Sequence, residues 1–269
     1  MATAAAIAAR FSAELTVLHV GGVSAYRLPA SKKDHERANL LLDEMVGSLR
    51  ARMLNVSGVL REGVPWQEIC SFAEEPTVDL VIVGSHGRSG LPRFALGSVA
   101  ERVVRFSPAP VLTVHPSDHV SAGGEGSFRK ILAATDFSAA SLRGVDAAVD
   151  LAIELDASLT LLHVYDLASN AHGVFDDVAM EVERQVRGRL DELLASVRSR
   201  LPSVDGVVRE GMPWQGILDV SKQCRADLVV MSTHGRGATP RILVGSVAER
   251  TVRHSSVPVL TLGPGASDD

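Results

Sequence analysis

The sequence predicts an α/β fold made of two tandem, doubly wound parallel-sheet domains of the Rossmann-like kind. Three segments recur along the chain at one constant spacing: 61–67 at 209–215, 97–102 at 245–250, and 110–113 at 258–261. Short apolar runs, which are typical of buried strands, alternate with segments of helical periodicity. Because the strands are apolar on both faces, we expect each domain to have a parallel sheet covered by helices on both sides.

A polar, glycine-rich run separates the two halves of this duplication. We place the first domain at residues 1–116, a flexible linker at 117–127 and the second domain at 128–269. The two domains are copy one and copy two of the same unit. A chain of 269 residues is long enough to bury a core in each.

The composition excludes several classes of protein. Basic residues number 27 and acidic residues 32, so the net charge is −5 and offers no excess positive field for nucleic acid. The sequence contains no run of about 18 uncharged apolar residues, so no membrane helix is predicted. The cysteines, Cys70 and Cys224, are too few for a disulfide framework. These features predict a cytoplasmic protein that binds neither nucleic acid nor membrane.

Copy two shows the order of elements most clearly. We predict strands at 130–135, 158–164, 207–209, 227–231 and 257–262, and helices that begin at Ser138, at 176, at Pro213 and at 245. Ser138 is a favourable N-cap, and Pro213 suits the first turn of a helix, where its missing N–H is harmless. The pattern is five strands joined by four helices.

The richest candidate site is the loop after the fourth strand of each copy, at 84–98 and 232–246. Ligands of such sheets bind beyond the carboxyl ends of the strands. Glycines let backbone N–H groups approach an anion, and the Gly-Ser pair opens a helix whose N-terminus favours phosphate. A purely structural role for these glycines stays open. Repetition of the pattern in both copies favours a phosphate site.

The spacing Gly-x2-Gly-x9-Gly-Ser, present at Gly84, Gly87, Gly97 and Ser98, resembles the ATP-binding signature of the universal stress protein family. The resemblance extends over nearly the whole chain, including segments 131–138, 161–164 and 209–213. It implies two adenine-nucleotide-type domains, each with strand order 3-2-1-4-5. It also implies ATP as the ligand, with or without Mg²⁺.

The resemblance further implies which residues of copy two hold the nucleotide. They are Ala134, Thr135 and Asp136 after the first strand, Val164 against the base, Met231, Ser232, Gly235 and Arg236 in the loop, and Gly245, Ser246 and Val247 under the phosphates. Ser232 departs from the family signature, which has glycine there. The extra side chain is expected to crowd the approach of the backbone to the ligand.

Copy one carries a weaker version of this site, consisting of Val20, Gly84, Gly87, Gly97, Ser98 and Val99. The counterpart of the first strand and its aspartate would precede Met1, so copy one is predicted to lack both. We expect that the native protein starts upstream, that another segment fills the central gap, or that the flanking strands close up. Nucleotide is accordingly expected in copy two, and weakly or not at all in copy one.

Two repeated pairs invite other roles. His86 and His234 lie in the glycine loops, but no nucleophile or metal-ligand set accompanies them, so a hydrogen-bonding role is favoured over catalysis. Trp66 and Trp214 each follow a proline at a helix start. Packing against a neighbouring element is favoured for them over ligand stacking.

The leading hypothesis is a nucleotide-binding stress-response or signalling module whose output changes with ATP occupancy. A slow ATPase or nucleotidyl-transfer enzyme of the same superfold is one alternative, although no Gly-Lys-Ser/Thr phosphate loop is present. A structural dimer with empty sites is another. The last strands, 110–114 and 257–262, are apolar sheet edges. We predict that they pair to form an internal pseudo-dimer, with a further homodimer left open.

Overall fold

The computed structural model describes residues 1–22, 32–52, 55–85, 96–115, 128–167, 176–235 and 245–263. Helices and strands alternate through both copies, as predicted. Copy one contains α1 (Ala2–Phe11), β1 (Leu15–Gly22), α2 (Lys32–Arg50), β2 (Val56–Gly63), α3 (Pro65–Ala73), β3 (Val81–Gly84), α4 (Ser98–Phe106) and β4 (Val111–Val114). Copy two contains β5 (Lys130–Ala134), α5 (Ala139–Leu155), β6 (Ser158–Tyr165), α6 (Asp176–Arg198), β7 (Val204–Glu210), α7 (Pro213–Gln223), β8 (Leu228–Ser232), α8 (Ser246–His254) and β9 (Val259–Leu262).

Copy two forms the complete sheet that its sequence predicts. Its strands run in the order β7-β6-β5-β8-β9, and every neighbouring pair is parallel. This is the expected order 3-2-1-4-5, with β5 at the centre. The third strand is longer than predicted and begins at Val204. Since β5, β6 and β8 are neighbours, their carboxyl ends lie at one edge of the sheet.

Alternate residues along these strands enter two separate cores, one on each face of the sheet. Ile131 and Leu161 belong to the core under α5 and α6, whereas Leu132 and Leu162 belong to the core under α7 and α8. Leu161 and Leu162 of β6 each have an exposed fraction of 0%. Complete burial of such a side chain stabilises the fold by about 1.5–3 kcal/mol.

Local signals fix the ends of the helices. Ser138 caps α5 as predicted, since its Oγ accepts a hydrogen bond from the N–H of Ser141 at 3.2 Å. The same helix ends at Asp156, which adopts a left-handed conformation with φ of 52°. In copy one α1 ends in the same way at Ser12, with φ of 50°. Helix α1 is therefore the counterpart of the last turns of α5.

The sheet of copy one is divided into two parts. Strands β1 and β2 form a separate two-stranded parallel sheet, while β3 and β4 join the strands of copy two. Among the described strands β1 and β3 are not hydrogen-bonded neighbours. Of the three alternatives for the gap, the closing up of the flanking strands is therefore wrong. The physical reason is that β1 and β2 keep their own core with α2, built around Leu42, Val46 and Val56.

The two copies join through their last strands. Strand β4 pairs with β9 in antiparallel register, with Leu112 opposite Leu260, so that one seven-stranded sheet runs through both copies. Helices α4 and α8 pack beside this seam, and Arg253 of α8 lies 3.9 Å from Glu101 of α4. The predicted pairing of the last strands is confirmed. Within the described residues, no helix is both long and apolar enough to span a bilayer.

Candidate functional site

The loop after β5 is held in place by hydrogen bonds inside the protein. The N–H of Thr135 donates to the carbonyl oxygen of Leu162 at 2.9 Å, which extends the ladder one residue past the strand. The hydroxyl of Thr135 accepts the N–H of Phe137 at 2.9 Å and lies 3.0 Å from the hydroxyl of Ser141. Because Thr135 is 5% exposed, its side chain anchors the loop.

Asp136 follows Thr135 and faces the glycine loop. Its Oδ1 accepts hydrogen bonds from the N–H and the hydroxyl of Ser138, at 3.0 Å and 2.6 Å. Its Oδ2 lies against Gly235, because a Cβ built on that glycine would come within 2.6 Å of the carboxylate oxygen. The structure therefore brings together two of the predicted site residues from the ends of β5 and β8.

Phe137, His163 and Arg189 support this loop, and sequence reasoning did not assign them to the site. Phe137 has a positive φ of 61°, which is strained for a bulky side chain. Its ring stacks on His163, with 4.5 Å between the ring centroids. The guanidinium of Arg189 also lies over the Phe137 ring, 4.5 Å from its centroid. His163 Nδ1 donates to the carbonyl oxygen of Thr135 at 2.7 Å. The recurrence of Leu-His-Val in both copies was the available signal for His163.

Val164 is the residue before the last one of β6, near the same sheet edge, and is half-buried. It packs against Gly216 of α7 so closely that a Cβ on that glycine would lie 2.8 Å from a Val164 methyl group. The sequence gives no signal for this contact, since the residue of copy one that is equivalent to Gly216 is Glu68. Next to it, desolvation raises the pKa of the Tyr165 hydroxyl, with Glu183 and Glu210 adding to the shift.

The glycine loop of copy two begins with buried residues. Met231 is 5% exposed and Ser232 is 9% exposed. The hydroxyl of Ser232 donates to the carbonyl oxygen of His234 at 2.5 Å. The side chain that replaces the glycine of the family signature is thus engaged within the loop. His234 Nδ1 lies 2.8 Å from the hydroxyl of Thr233, a hydrogen-bonding arrangement of the kind favoured for this histidine.

Helix α8 begins with its N-terminus at the end of this loop. Gly245 is the N-cap, with φ of −70° and ψ of 146°, and its N–H donates to the carbonyl oxygen of Thr233 at 2.7 Å. Within the described residues, no side chain caps the helix. The first N–H groups of such a helix, here at Ser246 and Val247, attract anions. Arg236 lies outside the described residues.

Copy one repeats the start of this helix but not the rest of the site. Gly97 is the N-cap of α4, with φ of −63° and ψ of 141°, and its N–H donates to the carbonyl oxygen of Ser85 at 2.7 Å. Ser98 and Val99 open the helix. Val20 and Gly84 lie near the ends of β1 and β3. Gly87 and His86 lie outside the described residues.

The tryptophans pack against neighbouring helices, as predicted. The ring of Trp66 lies 4.8 Å from Phe106 of α4, and the ring of Trp214 lies 5.3 Å from His254 of α8. In the described ranges, no group of three histidine, cysteine, aspartate or glutamate side chains is placed to hold a metal ion.

Comparison with known proteins gives one consistent family. The sequence profile of the universal stress protein family matches residues 1–115 and 127–262. A universal stress protein of Mycobacterium tuberculosis strain H37Rv is 30% identical over 232 residues, covering 82% of this chain and 72% of that protein. Another, from Mycolicibacterium smegmatis, is 30% identical over 190 residues, covering 70% of this chain and 63% of that protein. The present chain thus matches less than two thirds of the length of the M. smegmatis relative.

A solved structure shows the same fold over almost the whole chain. The crystal structure of a universal stress protein from Archaeoglobus fulgidus superimposes with a TM-score of 0.72 at 22% identity. The superposition covers 99% of this chain and 92% of the archaeal chain. The arrangement of two repeated α/β units is therefore shared between the two proteins.

Proposed function

This chain belongs to the universal stress protein family, and we propose that copy two binds ATP and that nucleotide occupancy, rather than turnover, is the signal the protein transmits. The observation that carries the proposal is the convergence of Asp136, Gly235 and the N-terminus of α8 beyond one sheet edge. The domain limits that belong to this proposal are 1–116 and 128–269.

The phosphates are proposed to lie at the start of α8. The N–H groups of Ser246 and Val247 and the positive end of the helix dipole favour an anion there. Glu249, an acidic residue of the first turn, is paired with Arg253 at 2.8 Å, which offsets its repulsion of phosphate. Arg236, from the loop, is proposed to add a positive charge.

The adenosine is proposed to lie over the ends of β5 and β6. Asp136 would accept hydrogen bonds from the nucleoside, and its orientation is set by the two hydrogen bonds from Ser138. Val164 offers an apolar surface to the base, and its position is set by Gly216. Ala134, Thr135 and Met231 are proposed to form the protein side of this site, with an adenine nucleotide as the ligand.

Binding accounts for these residues better than catalysis does. A slow ATPase or nucleotidyl transferase needs a general base directed at water or another acceptor. Asp136, the carboxylate that faces the glycine loop, is already oriented by Ser138 and belongs to the adenosine end of the proposed site. We therefore assign to this chain the holding of ATP, with a change of conformation or of protein partner as the output.

Titration calorimetry with ATP tests the proposal directly. We expect the wild-type chain to bind ATP, and Asp136→Ala to weaken binding about 10–100-fold, because a charged hydrogen-bond partner is lost. Gly188→Ala in α6 is the matched control, since a Cβ there meets nothing within 4 Å. It should bind as the wild type does. No heat of binding, together with no adenine released from denatured protein, would overturn the proposal; phosphate release over many turnovers would replace it with the enzymatic alternative.

A further inference from the structure

A histidine of copy one contacts helix α8 of copy two. His115 follows β4 and is 9% exposed. Its Nε2 lies 3.2 Å from the carbonyl oxygen of Val252 in α8, and its Nδ1 lies 2.7 Å from the hydroxyl of Ser85. Because a carbonyl oxygen only accepts, Nε2 of the neutral imidazole donates to Val252, while Nδ1 accepts from Ser85. The imidazole therefore bridges the two copies.

Ser85 gives this bridge a fixed base in copy one. It follows β3 and is 0% exposed. Its N–H donates to the carbonyl oxygen of Val114 at 2.8 Å, and its carbonyl oxygen accepts the N–H of Gly97 at 2.7 Å. The backbone of Ser85 is thus bonded both to β4 and to the N-cap of α4. These two bonds give the Ser85 hydroxyl a defined position beside the imidazole.

Val252 lies in the last turn of α8, where carbonyl oxygens lack partners within the helix. The N–H of Ser255, the C-cap, donates to the carbonyl oxygen of Thr251 at 2.8 Å. Among the described residues, no backbone N–H donates to the carbonyl oxygen of Val252. Since Val252 is 0% exposed, a carbonyl without a partner would be unfavourable there. His115 supplies the missing donor.

The equivalent position of copy two has no side chain to form such a bridge. Gly263 is the counterpart of His115. A Cβ built on Gly263 would lie 3.4 Å from the carbonyl oxygen of Ser107, the C-cap of α4. Each of these two positions thus lies beside the end of the last helix of the other copy. The bridge from copy one acts on α8, whereas the glycine of copy two cannot act on α4 in the same way.

We propose that His115 is a positioning residue for the ATP site of copy two, so that copy one helps to hold the site of its neighbour. The inference rests on the proposed function, in which the phosphates bind at the start of α8. This helix has nine residues, and Ser246 lies roughly 9 Å from Val252 along its axis. Because backbone hydrogen bonds join the two ends of so short a helix, the bond at Val252 also sets the position of the N–H groups at its start.

The same hydrogen bond should respond to the ligand. Phosphate at the start of α8 attracts the positive end of the helix dipole. A displacement of α8 along its axis changes the distance between Val252 and His115, whereas Ser85 stays bonded to β4 and to the N-cap of α4. We therefore expect the imidazole of His115 to report whether copy two holds ATP.

Two substitutions of His115 separate the two ends of the bridge. His115→Gln keeps an N–H donor near the position of Nε2, whereas the amide of His115→Asn is shorter and should not reach Val252. Titration calorimetry with ATP should show binding weakened about three- to tenfold in His115→Asn and within about twofold of the wild type in His115→Gln. Gly263→Ala is the control at the equivalent position and should bind ATP as the wild type does.

Nuclear magnetic resonance of the wild-type chain with isotope-labelled histidine needs no variant to be folded. The resonances of His115 are assigned by their loss in His115→Asn. Without ATP we expect a neutral imidazole with its proton on Nε2, and ATP should shift the Nε2 resonance. In Asp136→Ala, the concentration of ATP that just saturates the wild type should leave this resonance largely in place. A residue that only supports the fold would show no response to ATP.

The outcomes distinguish this inference from the proposed function on which it rests. If the wild-type chain binds no ATP, the proposed function fails and the positioning role fails with it. If ATP binds but the His115 resonances do not change, the positioning role alone is overturned. The same holds if His115→Asn binds ATP as tightly as the wild type, or if His115→Gln and His115→Asn weaken binding equally.

Discussion

Copies one and two start the same helix in the same way and differ in the sheet behind it. Gly97 and Gly245 are both N-caps in extended conformation, and each donates its N–H over 2.7 Å to the residue after the preceding strand. Strand β8, however, has parallel partners on both sides, whereas β3 has β4 alone among the described strands. The same loop motif therefore stands on a complete sheet in one copy and on a divided sheet in the other.

This comparison separates the parts of the candidate site that need one segment of the chain from those that need several strands. The proposed phosphate end includes the start of a helix, and copy one has the same helix start without a central strand. The proposed adenosine end depends on β5, which carries Asp136 to Gly235, and on β6, which carries Val164. A site that needs residues from three strands requires all three to be paired.

Truncation of equivalent leucines should give the largest difference in stability between the two copies. Leu162 is 0% exposed at the centre of copy two, and Leu162→Ala should lower the free energy of unfolding by about 2–5 kcal/mol. Leu18 is half-buried in β1, and Leu18→Ala should lower it by about 1 kcal/mol. Urea denaturation of the two variants measures the difference. Equal losses would mean that the two strands have equivalent surroundings.

Substitution of equivalent glycines in the two loops should show which copy binds nucleotide. Gly235→Val places a branched side chain where a Cβ alone would come within 2.6 Å of the Asp136 carboxylate. Displacement of that carboxylate should weaken ATP binding about 10–100-fold. Gly87→Val, in the loop of copy one, should leave the affinity unchanged. Calorimetry of both variants decides: loss of binding in Gly87→Val alone would assign the site to copy one.

The seam between the copies offers a matched pair of threonines. The hydroxyl of Thr261 donates to the carbonyl oxygen of Val111 at 3.2 Å, so Thr261→Val should destabilise the chain by about 1 kcal/mol. The hydroxyl of the equivalent Thr113 is buried and has no hydrogen-bond partner among the described residues. Thr113→Val should stabilise the chain by up to about 1 kcal/mol. Thermal unfolding of both variants measures whether the two substitutions change stability in opposite directions. Destabilisation by Thr113→Val would contradict the conclusion that this hydroxyl has no hydrogen-bond partner.

The smallest expected effect concerns the cysteine of α3, whose rate of alkylation should depend on pH. Burial raises the pKa of the Cys70 thiol to about 11, and the charge of Glu74 adds to the shift. The reactive thiolate is therefore scarce at neutral pH. In a Cys224→Ser variant, alkylation of Cys70 should accelerate about tenfold per pH unit between about pH 8 and about pH 10. A rate that levels off below about pH 9 would show that α3 leaves this thiol in contact with solvent.

Much of the fold follows from the sequence because its signals are local and occur twice. The alternation of apolar runs with helical segments predicts the elements of copy two, and the capping serine at Ser138 marks the start of α5. The apolar last strands predict the β4–β9 seam, which the structure contains. The fate of the gap in copy one could not be predicted. It depends on two free energies: the one gained if β1 paired with β3, and the one lost if β1 and β2 left their core with α2.

The candidate site was predicted in part for the same reason. Its glycines stand out in a repeated motif and Asp136 follows from the resemblance to the family, whereas Phe137, Arg189 and Gly216 have neither signal. The stack of Phe137 on His163 and the contact of Gly216 with Val164 join residues from different elements. Neither contact has a counterpart in the pattern that the two copies share, so the duplication gave no signal for it.

Hydrogen exchange with and without ATP tests most directly whether nucleotide binds in copy two, and weakly or not at all in copy one. We expect ATP to slow amide exchange in residues 134–138 and in the first turn of α8, and to leave the first turn of α4 unchanged. The two helix starts serve as controls for each other, since their N-caps have nearly the same conformation. Equal protection of α4 and α8, or protection of α4 alone, would contradict the claim that the central strand decides which copy binds.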